Sequence, residues 1–362
     1  MKNIIIFIGQ EFIINEAFVE YVKREATKHI EMIDTIEFLN ERDKDILVKL
    51  SNAFREYDNI LVVASYAGYP TASRVVATLL EDNLVAKEDM VVPSKATLVE
   101  PNSFLIPHNK GAINVLRTRV TYELPKILLT SDIENTILYL FDLEYEDIVQ
   151  KLSPLAKSYE IELTLSQETF GLYKALAVNK KYGDLPMFVQ NAKLLLPNNL
   201  IIANTLFEYL IDRFTPLNKT VTFAESCTGG LLSSMLTKVP GSSNIFPGSL
   251  VTYSNEIKHA WLGVELETLQ KHGAVSEETV AQMLDGALRV SQADYAIAIS
   301  GIAGPGGGTP TKPVGTVVIG AKGPEAATIR TLHFQGDRNY IQYQAAMYGV
   351  KLLFEVAKLE LF

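Results

Sequence analysis

The sequence predicts an α/β protein, built as two α/β sandwich units joined by a small α+β piece. Short apolar runs such as Ile4–Ile8, NILVVA at 59–64 and Asp294–Ser300 read as buried strands. Amphipathic stretches at helical spacing alternate with them, which is the pattern of a parallel sheet covered by helices. The length of 362 residues fits about two domains.

Ile4–Ile8 is a first strand. Phe12 to Lys28 is a helix, with Phe12, Ile13, Ala17, Tyr21 and Val22 on one face. Lys44–Tyr57 is a second helix, capped by Asp43. Asn59–Ala64 is a second strand, and Thr71–Leu84 a third helix after the turn at Pro70. From Thr121 to Phe141 the pattern reads as strand, then helix. YEIELTLS alternates as a strand, and ETFGLYKALAVNKK reads as a strand or a short helix. A new unit begins at Asn199 with an amphipathic helix over Leu200–Phe214. Strands are expected at Thr220–Ala224, Ser249–Tyr253, Asp294–Ser300, Val314–Lys322 and Ala327–Phe334. Helices are expected at Gly229–Thr237, Asn255–Leu262, Ser276–Ser291 and Asn339–Leu361. The resulting domains are 1–155, 156–198 and 199–362.

Composition narrows the function classes. The chain carries 33 basic and 42 acidic side chains, a net charge of −9, which disfavours nucleic acid and anionic membrane as partners. The single cysteine, Cys227, leaves no internal disulfide and no multi-cysteine metal site. The start has too short an apolar run for a signal peptide, and no run approaches a bilayer span, so a cytoplasmic setting is expected. Of the 22 glycines, 17 lie after residue 198. Glycine permits close backbone approach, so a backbone-built site is expected in the C-terminal part. That part carries 12 basic and 14 acidic groups, which leaves −7 for the first 198 residues.

Four runs carry candidate chemistry. In Thr222-Phe-Ala-Glu-Ser-Cys-Thr-Gly-Gly230 a strand ends, a hydroxyl comes next and two glycines open a helix. Ser226 then lies near free N–H groups that favour negative charge, although Ser226 or Thr228 can equally serve as a plain helix cap. In Ser249-Leu-Val-Thr-Tyr-Ser-Asn-Glu-Ile-Lys258, Tyr253 and Lys258 fall at the same end of the sheet. A Ser, a Tyr and a Lys can form a hydrolase set without histidine, and a surface lysine beside a packing tyrosine is the alternative. Ser300-Gly-Ile-Ala-Gly-Pro-Gly-Gly-Gly308 ends a buried strand where α/β sheets place ligands. Its amides, those of Gly301 and Gly304 among them, can cradle a phosphate. The run continues into KPVGT, ending at Thr316. Finally, Arg338 of Gln-Gly-Asp-Arg stands at a helix start, where it can clamp an anion, with Asp337 as a plain helix cap and Arg338 in solvent as the alternative. His29, His108, His259, His272 and His333 show no metal-like spacing, and Cys227 reads as a small buried residue.

Taken together, AESCTGG, GSSNIF, VTYSNEIK, GAVSEETV, SGIAGPGGG, KPVGTV and GDR resemble the C-terminal domain of the CinA family over residues 200–362. The resemblance implies hydrolysis of nicotinamide mononucleotide (NMN) to nicotinate mononucleotide and ammonia, without metal or cofactor. It implies Ser226 as nucleophile, Tyr253 and Lys258 as its activators and Arg338 on the phosphate. Thr228, Gly229, Gly230, Ser243, Gly301, Gly304 and Thr316 then bind substrate, with Ser243 as fallback nucleophile. In this reading Lys258 takes the serine proton through Tyr253, and amides near Thr228–Gly230 hold the oxyanion. A homodimer is expected by family analogy.

The first part resembles the family's molybdopterin-binding-like (MoCF) domain. Gln10 stands where an Asp is usual, and Ser73 and Arg74 where an acidic pair is usual. A metal-dependent ADP-ribose pyrophosphatase there is disfavoured, since a divalent cation usually takes one or two carboxylates. A non-catalytic, nucleotide-binding regulator of competence or damage response is the alternative from another class.

Overall fold

Residues Asn3–Ile8 form β1, buried along its whole length. Alternate side chains of a strand point to opposite faces, so Ile4, Ile6 and Ile8 enter one core while Ile5 and Phe7 enter another. A sheet covered on both sides is the direct consequence. This computed structural model describes every residue except 31, 131, 132 and 181. It divides into two units, Met1–Ile133 and Glu134–Phe362.

In the first unit α1 (Gln10–Ile13) and α2 (Glu16–Ala26) replace the single expected helix. The break has a local cause: the Asn15 side chain accepts from the Phe18 amide at 3.0 Å and starts a new helix. Then come β2 (Thr35–Leu39), α3 (Ile46–Glu56), β3 (Asn59–Ser65) and α4 (Tyr69–Leu79). Asp45, not Asp43, stands before α3, and Pro70 sits in the first turn of α4, where its missing N–H costs nothing. The next five strands are ones that the periodicity does not announce: β4 (Leu84–Lys87), β5 (Met90–Pro93), β6 (Leu98–Glu100), β7 (Ser103–His108) and β8 (Gly111–Thr118). The main sheet has the order β2-β1-β3-β8-β7-β6. Its first four strands are parallel; β7 pairs antiparallel with β8, and β6 antiparallel with β7.

The second unit opens with β9 (Asn135–Phe141), α5 (Tyr145–Ser158), β10 (Ile161–Thr169), β11 (Leu172–Asn179), α6 (Leu185–Leu195) and β12 (Leu200–Ile202). These strands form one antiparallel sheet, β10-β11-β9-β12. The helix expected in 121–141 is therefore strand β9; residues 131 and 132 of that stretch lie outside the described residues. The boundary expected at 155 gives way to one at 133, because β9 is hydrogen-bonded to both β11 and β12. Leu138 and Leu140 pack into the small sheet's own core, whereas Tyr139 and Phe141 pack into the core shared with the C-terminal sheet.

The chain continues through α7 (Leu206–Leu217), β13 (Val221–Glu225), α8 (Leu231–Thr237), β14 (Ser249–Val251), α9 (Asn255–Leu262), α10 (Leu266–His272) and α11 (Glu277–Ser291). It closes with β15 (Tyr295–Gly301), β16 (Thr316–Lys322), β17 (Ala327–His333), α12 (Arg338–Val356) and α13 (Lys358–Leu361). The sheet order is β14-β13-β15-β16-β17. β14, β13 and β15 run parallel; β16 pairs antiparallel with β15, and β17 antiparallel with β16. Side chains again alternate: Phe223, Ile297 and Ile299 face α12, while Ala224, Ala296 and Ala298 face α11. α11 comes close to the end of α9 at Gly286, where an added Cβ would lie 2.1 Å from the Leu262 carbonyl oxygen. Gly286→Ala is expected to lower unfolding free energy by about 2 kcal/mol, read as a shifted urea midpoint. Among the described residues no helix is long and apolar enough to cross a membrane.

Candidate active site

The parallel strands β13, β14 and β15 end on one side, and the functional side chains collect there. Ser226 comes directly after the last residue of β13 and is 7% exposed. Lys258 lies in α9, whose first turn is capped by Ser254 accepting from the Ile257 amide. Its side chain runs inward and is 1% exposed. Lys258 Nζ donates to Ser226 Oγ at 2.9 Å, to the Thr252 carbonyl at 2.8 Å and to the Tyr253 carbonyl at 3.3 Å. No carboxylate is among these partners. Burial without a counter-charge disfavours the ammonium form, and it lowers the Lys258 pKa from 10.5 to about 8. Burial pushes the Cys227 thiol up to about 12, so it stays protonated. His259 turns away from the site and contacts the Val264 carbonyl.

The relay through Tyr253 gives way to direct contact. Tyr253 turns its carbonyl toward Lys258 and its ring outward, 62% exposed. Its hydroxyl accepts from Arg338 Nη2 at 2.9 Å, and Arg338 Nη1 donates to the Gly304 carbonyl at 2.7 Å. Arg338 is the first residue of α12, and Asp337 caps that helix by accepting from the Tyr340 amide at 2.8 Å. Asp337 thus caps the helix, and Arg338 is held by two uncharged oxygens. Ser226, Tyr253, Lys258 and Arg338 line one cleft of about 240 Å³, together with Gly301 and Gly304 of the glycine loop.

Other expected residues fall elsewhere. Gly229 and Gly230 have φ of +62° and +96°, which the turn into α8 requires. Their amides are not free. Gly229 N donates to the Ser226 carbonyl, and Gly230 N to Glu225 Oε2 at 3.1 Å. Glu225, 1% exposed, also accepts from the amides of Leu232 and Ser233 and from the Ser233 hydroxyl. A buried carboxylate therefore occupies the helix N-terminus where the sequence places the oxyanion. Thr228 is buried beside this turn, and its Oγ1 meets no partner among the described residues. Thr316 starts β16 and its carbonyl accepts from Ile302; it lies outside the cleft lining. Ser243 lies in a 3₁₀ turn next to the beginning of β13, where the Val221 amide donates to the Ile245 carbonyl. Within one chain it is a strand's length from Ser226, because β13 separates the two.

Glu225 is the residue that sequence reasoning misses. A signal for it exists: a lone carboxylate ending an apolar strand, seven and eight residues before amides that it binds. Ser300, Ala303 and Gly307, which also line the cleft, fall within the glycine-rich run that sequence patterning singles out.

A family model described as the CinA C-terminal domain matches residues 203–357. A CinA-like protein of Petrotoga mobilis is 35% identical over 246 residues, covering 68% of this chain and 60% of its own length. Through its C-terminal domain the chain belongs to the CinA family. A CinA-like protein of Thermotoga neapolitana is 53% identical over 135 residues, 37% of this chain and 33% of that protein. The match thus spans about a third of that relative's length. The crystal structure of competence/damage inducible protein CihA from Agrobacterium tumefaciens is 40% identical, with a TM-score of 0.41. That match covers 42% of this chain and 93% of the solved one. In this CinA-family chain the cleft is formed wholly by residues of the matched segment.

The first unit has its own cleft of about 440 Å³ at the ends of β1 and β3, lined by Gln10, Glu11, Glu41, Ser65, Tyr66, Ala67 and Arg119. Glu41 accepts from the Gln10 amide. Ser73 is buried and Arg74 exposed, one turn into α4, and neither lines this cleft. Two glutamates beside a guanidinium make a poor donor set for a divalent cation. Among the described residues no group of three or more His, Cys, Asp or Glu is placed to hold a metal.

Proposed function

We propose that the C-terminal domain hydrolyses the carboxamide of NMN to nicotinate mononucleotide and ammonia. The observation that carries this reading is the buried Lys258 amine, 2.9 Å from Ser226 Oγ and without a carboxylate partner. A neutral lysine in that place is a general base for a serine nucleophile. Ser226 Oγ attacks the carboxamide carbon while its proton passes to Lys258 Nζ. The carbonyl π electrons move to oxygen, and the oxyanion lies against the amides of Ala303 and Gly304. These amides make no hydrogen bond among the described residues, and they take the role first expected of Gly229 and Gly230. Lys258 returns the proton to the leaving nitrogen, the C–N bond breaks and ammonia departs. Water then attacks the ester, its proton passes to Lys258, and the acid product leaves as Ser226 is reprotonated.

Arg338 uses two of its five donors on Gly304 and Tyr253, which leaves others for the substrate phosphate. The role of Tyr253 is then to hold Arg338. Arg338→Gln is expected to raise KM for NMN about tenfold or more with a smaller change in kcat, measured by ammonia release. An unchanged KM rejects the phosphate role. The activity itself is tested by incubating the full chain with NMN and assaying ammonia and nicotinate mononucleotide, with ADP-ribose as a parallel substrate. Absence of both NMN products rejects the reading.

A further inference from the structure

Another cleft, of about 330 Å³, is lined by residues of the small sheet, α7, α8 and α12, and none of its lining residues belongs to the reaction cleft. Leu206, Phe207, Met235 and Met347 supply an apolar wall. Lys174 of β11 and Lys238, just past α8, also line it. Lys174 is half-buried and Lys238 exposed, and neither has an ion-pair partner among the described residues. The one carboxylate in the lining, Glu168, is already engaged by the Tyr343 hydroxyl at 2.6 Å.

Each part of this arrangement selects a ligand property. The volume suits a small organic molecule whose body is mostly removed from water. The two methionines adapt their shape to a ring or a branched chain. Two ammonium groups without ion-pair partners, set against the single Glu168 carboxylate, leave the lining net positive and favour an anionic group at one end. We propose that this cleft binds a small amphipathic anion, with an aromatic or branched aliphatic body and a single carboxylate. The body would lie against Phe207, Met235 and Met347, and the carboxylate between Lys174 and Lys238.

The test is calorimetric titration of the full chain with phenylbutyrate, with phenylbutanol as its neutral counterpart. Saturable binding of phenylbutyrate is expected, with phenylbutanol about tenfold weaker. Met235→Trp fills the cleft and should abolish binding. The double variant Lys174→Gln/Lys238→Gln lies toward the surface and should weaken binding about tenfold at an unchanged unfolding midpoint; it decides the matter if Met235→Trp lowers stability. No saturable binding, equal affinity for phenylbutanol, or full affinity in the lysine variant overturns the proposal. So does loss of binding in Arg338→Gln, which would put the ligand in the reaction cleft instead.

Discussion

Ser226→Ala and Lys258→Arg should each leave a folded protein whose ammonia release from NMN has fallen by about a thousandfold or more. Alanine removes the attacking oxygen. Arginine keeps a cation at the same place but cannot give up its proton at any working pH, so it cannot act as base. For the unmodified chain, kcat/KM should rise with pH and level off above about 8, where Lys258 becomes neutral. Below that pH it should fall tenfold per unit. The same group leaves a mark on stability. Its folded pKa is below the ordinary 10.5, so between pH 8 and 10.5 the unfolded chain binds more protons. Unfolding therefore becomes harder as pH rises through that window, by up to about 3 kcal/mol. The penalty is fully present below pH 8. Raised tyrosine pKa values act oppositely above pH 10, as for Tyr209 and Tyr348. The difference between the unmodified chain and Lys258→Met isolates the lysine. Ammonia release retained in Ser226→Ala and lost in Ser243→Ala would move the nucleophile to Ser243. A flat pH–rate profile would reject Lys258 as base.

Glu225→Ala should be the most damaging single change to the fold near the site, lowering unfolding free energy by about 3–5 kcal/mol. The carboxylate binds three amides and the Ser233 hydroxyl, and Ser233 Oγ in turn lies 2.6 Å from Ser249 Oγ. Alanine leaves three amides without their acceptor, that of Leu232 fully buried, and the Ser233 hydroxyl with Ser249 alone. Glu225→Gln should recover only part of the loss, because its NH₂ group opposes N–H donors where an oxygen stood. Urea unfolding of the three proteins measures this, and a Glu225→Ala midpoint equal to the parent's rejects it. Because Ser226 is the next residue, the activity of the Gln variant reports how far this clamp also aims the nucleophile.

Sequence patterning locates most of the strands and helices of the C-terminal domain within a few residues, because its strands are short apolar runs and its helices have capping residues such as Ser254, Ser276 and Asp337. It is poorest between 84 and 141. There β4 to β8 are brief and mixed in polarity, and TILYLF of β9 satisfies helix and strand patterns alike until its partners β11 and β12 decide. Ser226, Tyr253, Lys258 and Arg338 can be chosen from spacing and family resemblance, and they share one cleft. Hydrogen-bond direction cannot be read that way. Whether Tyr253 presents its hydroxyl or its carbonyl to Lys258, and whether the Gly230 amide is free, depends on partners 5 to 85 residues away.

The double allegiance of β9 has a practical consequence for dissecting the chain. Tyr139 and Phe141, with Leu172 and Ile201 of the same small sheet, fill a core formed mostly by the matched domain, and Phe141 stacks on Phe354 at 5.1 Å. A recombinant piece cut at the family boundary, near residue 203, would leave that side of α12 bare and prone to self-association. The sensible first residue for a stand-alone C-terminal fragment is Glu134, about seventy positions before the family-model match begins.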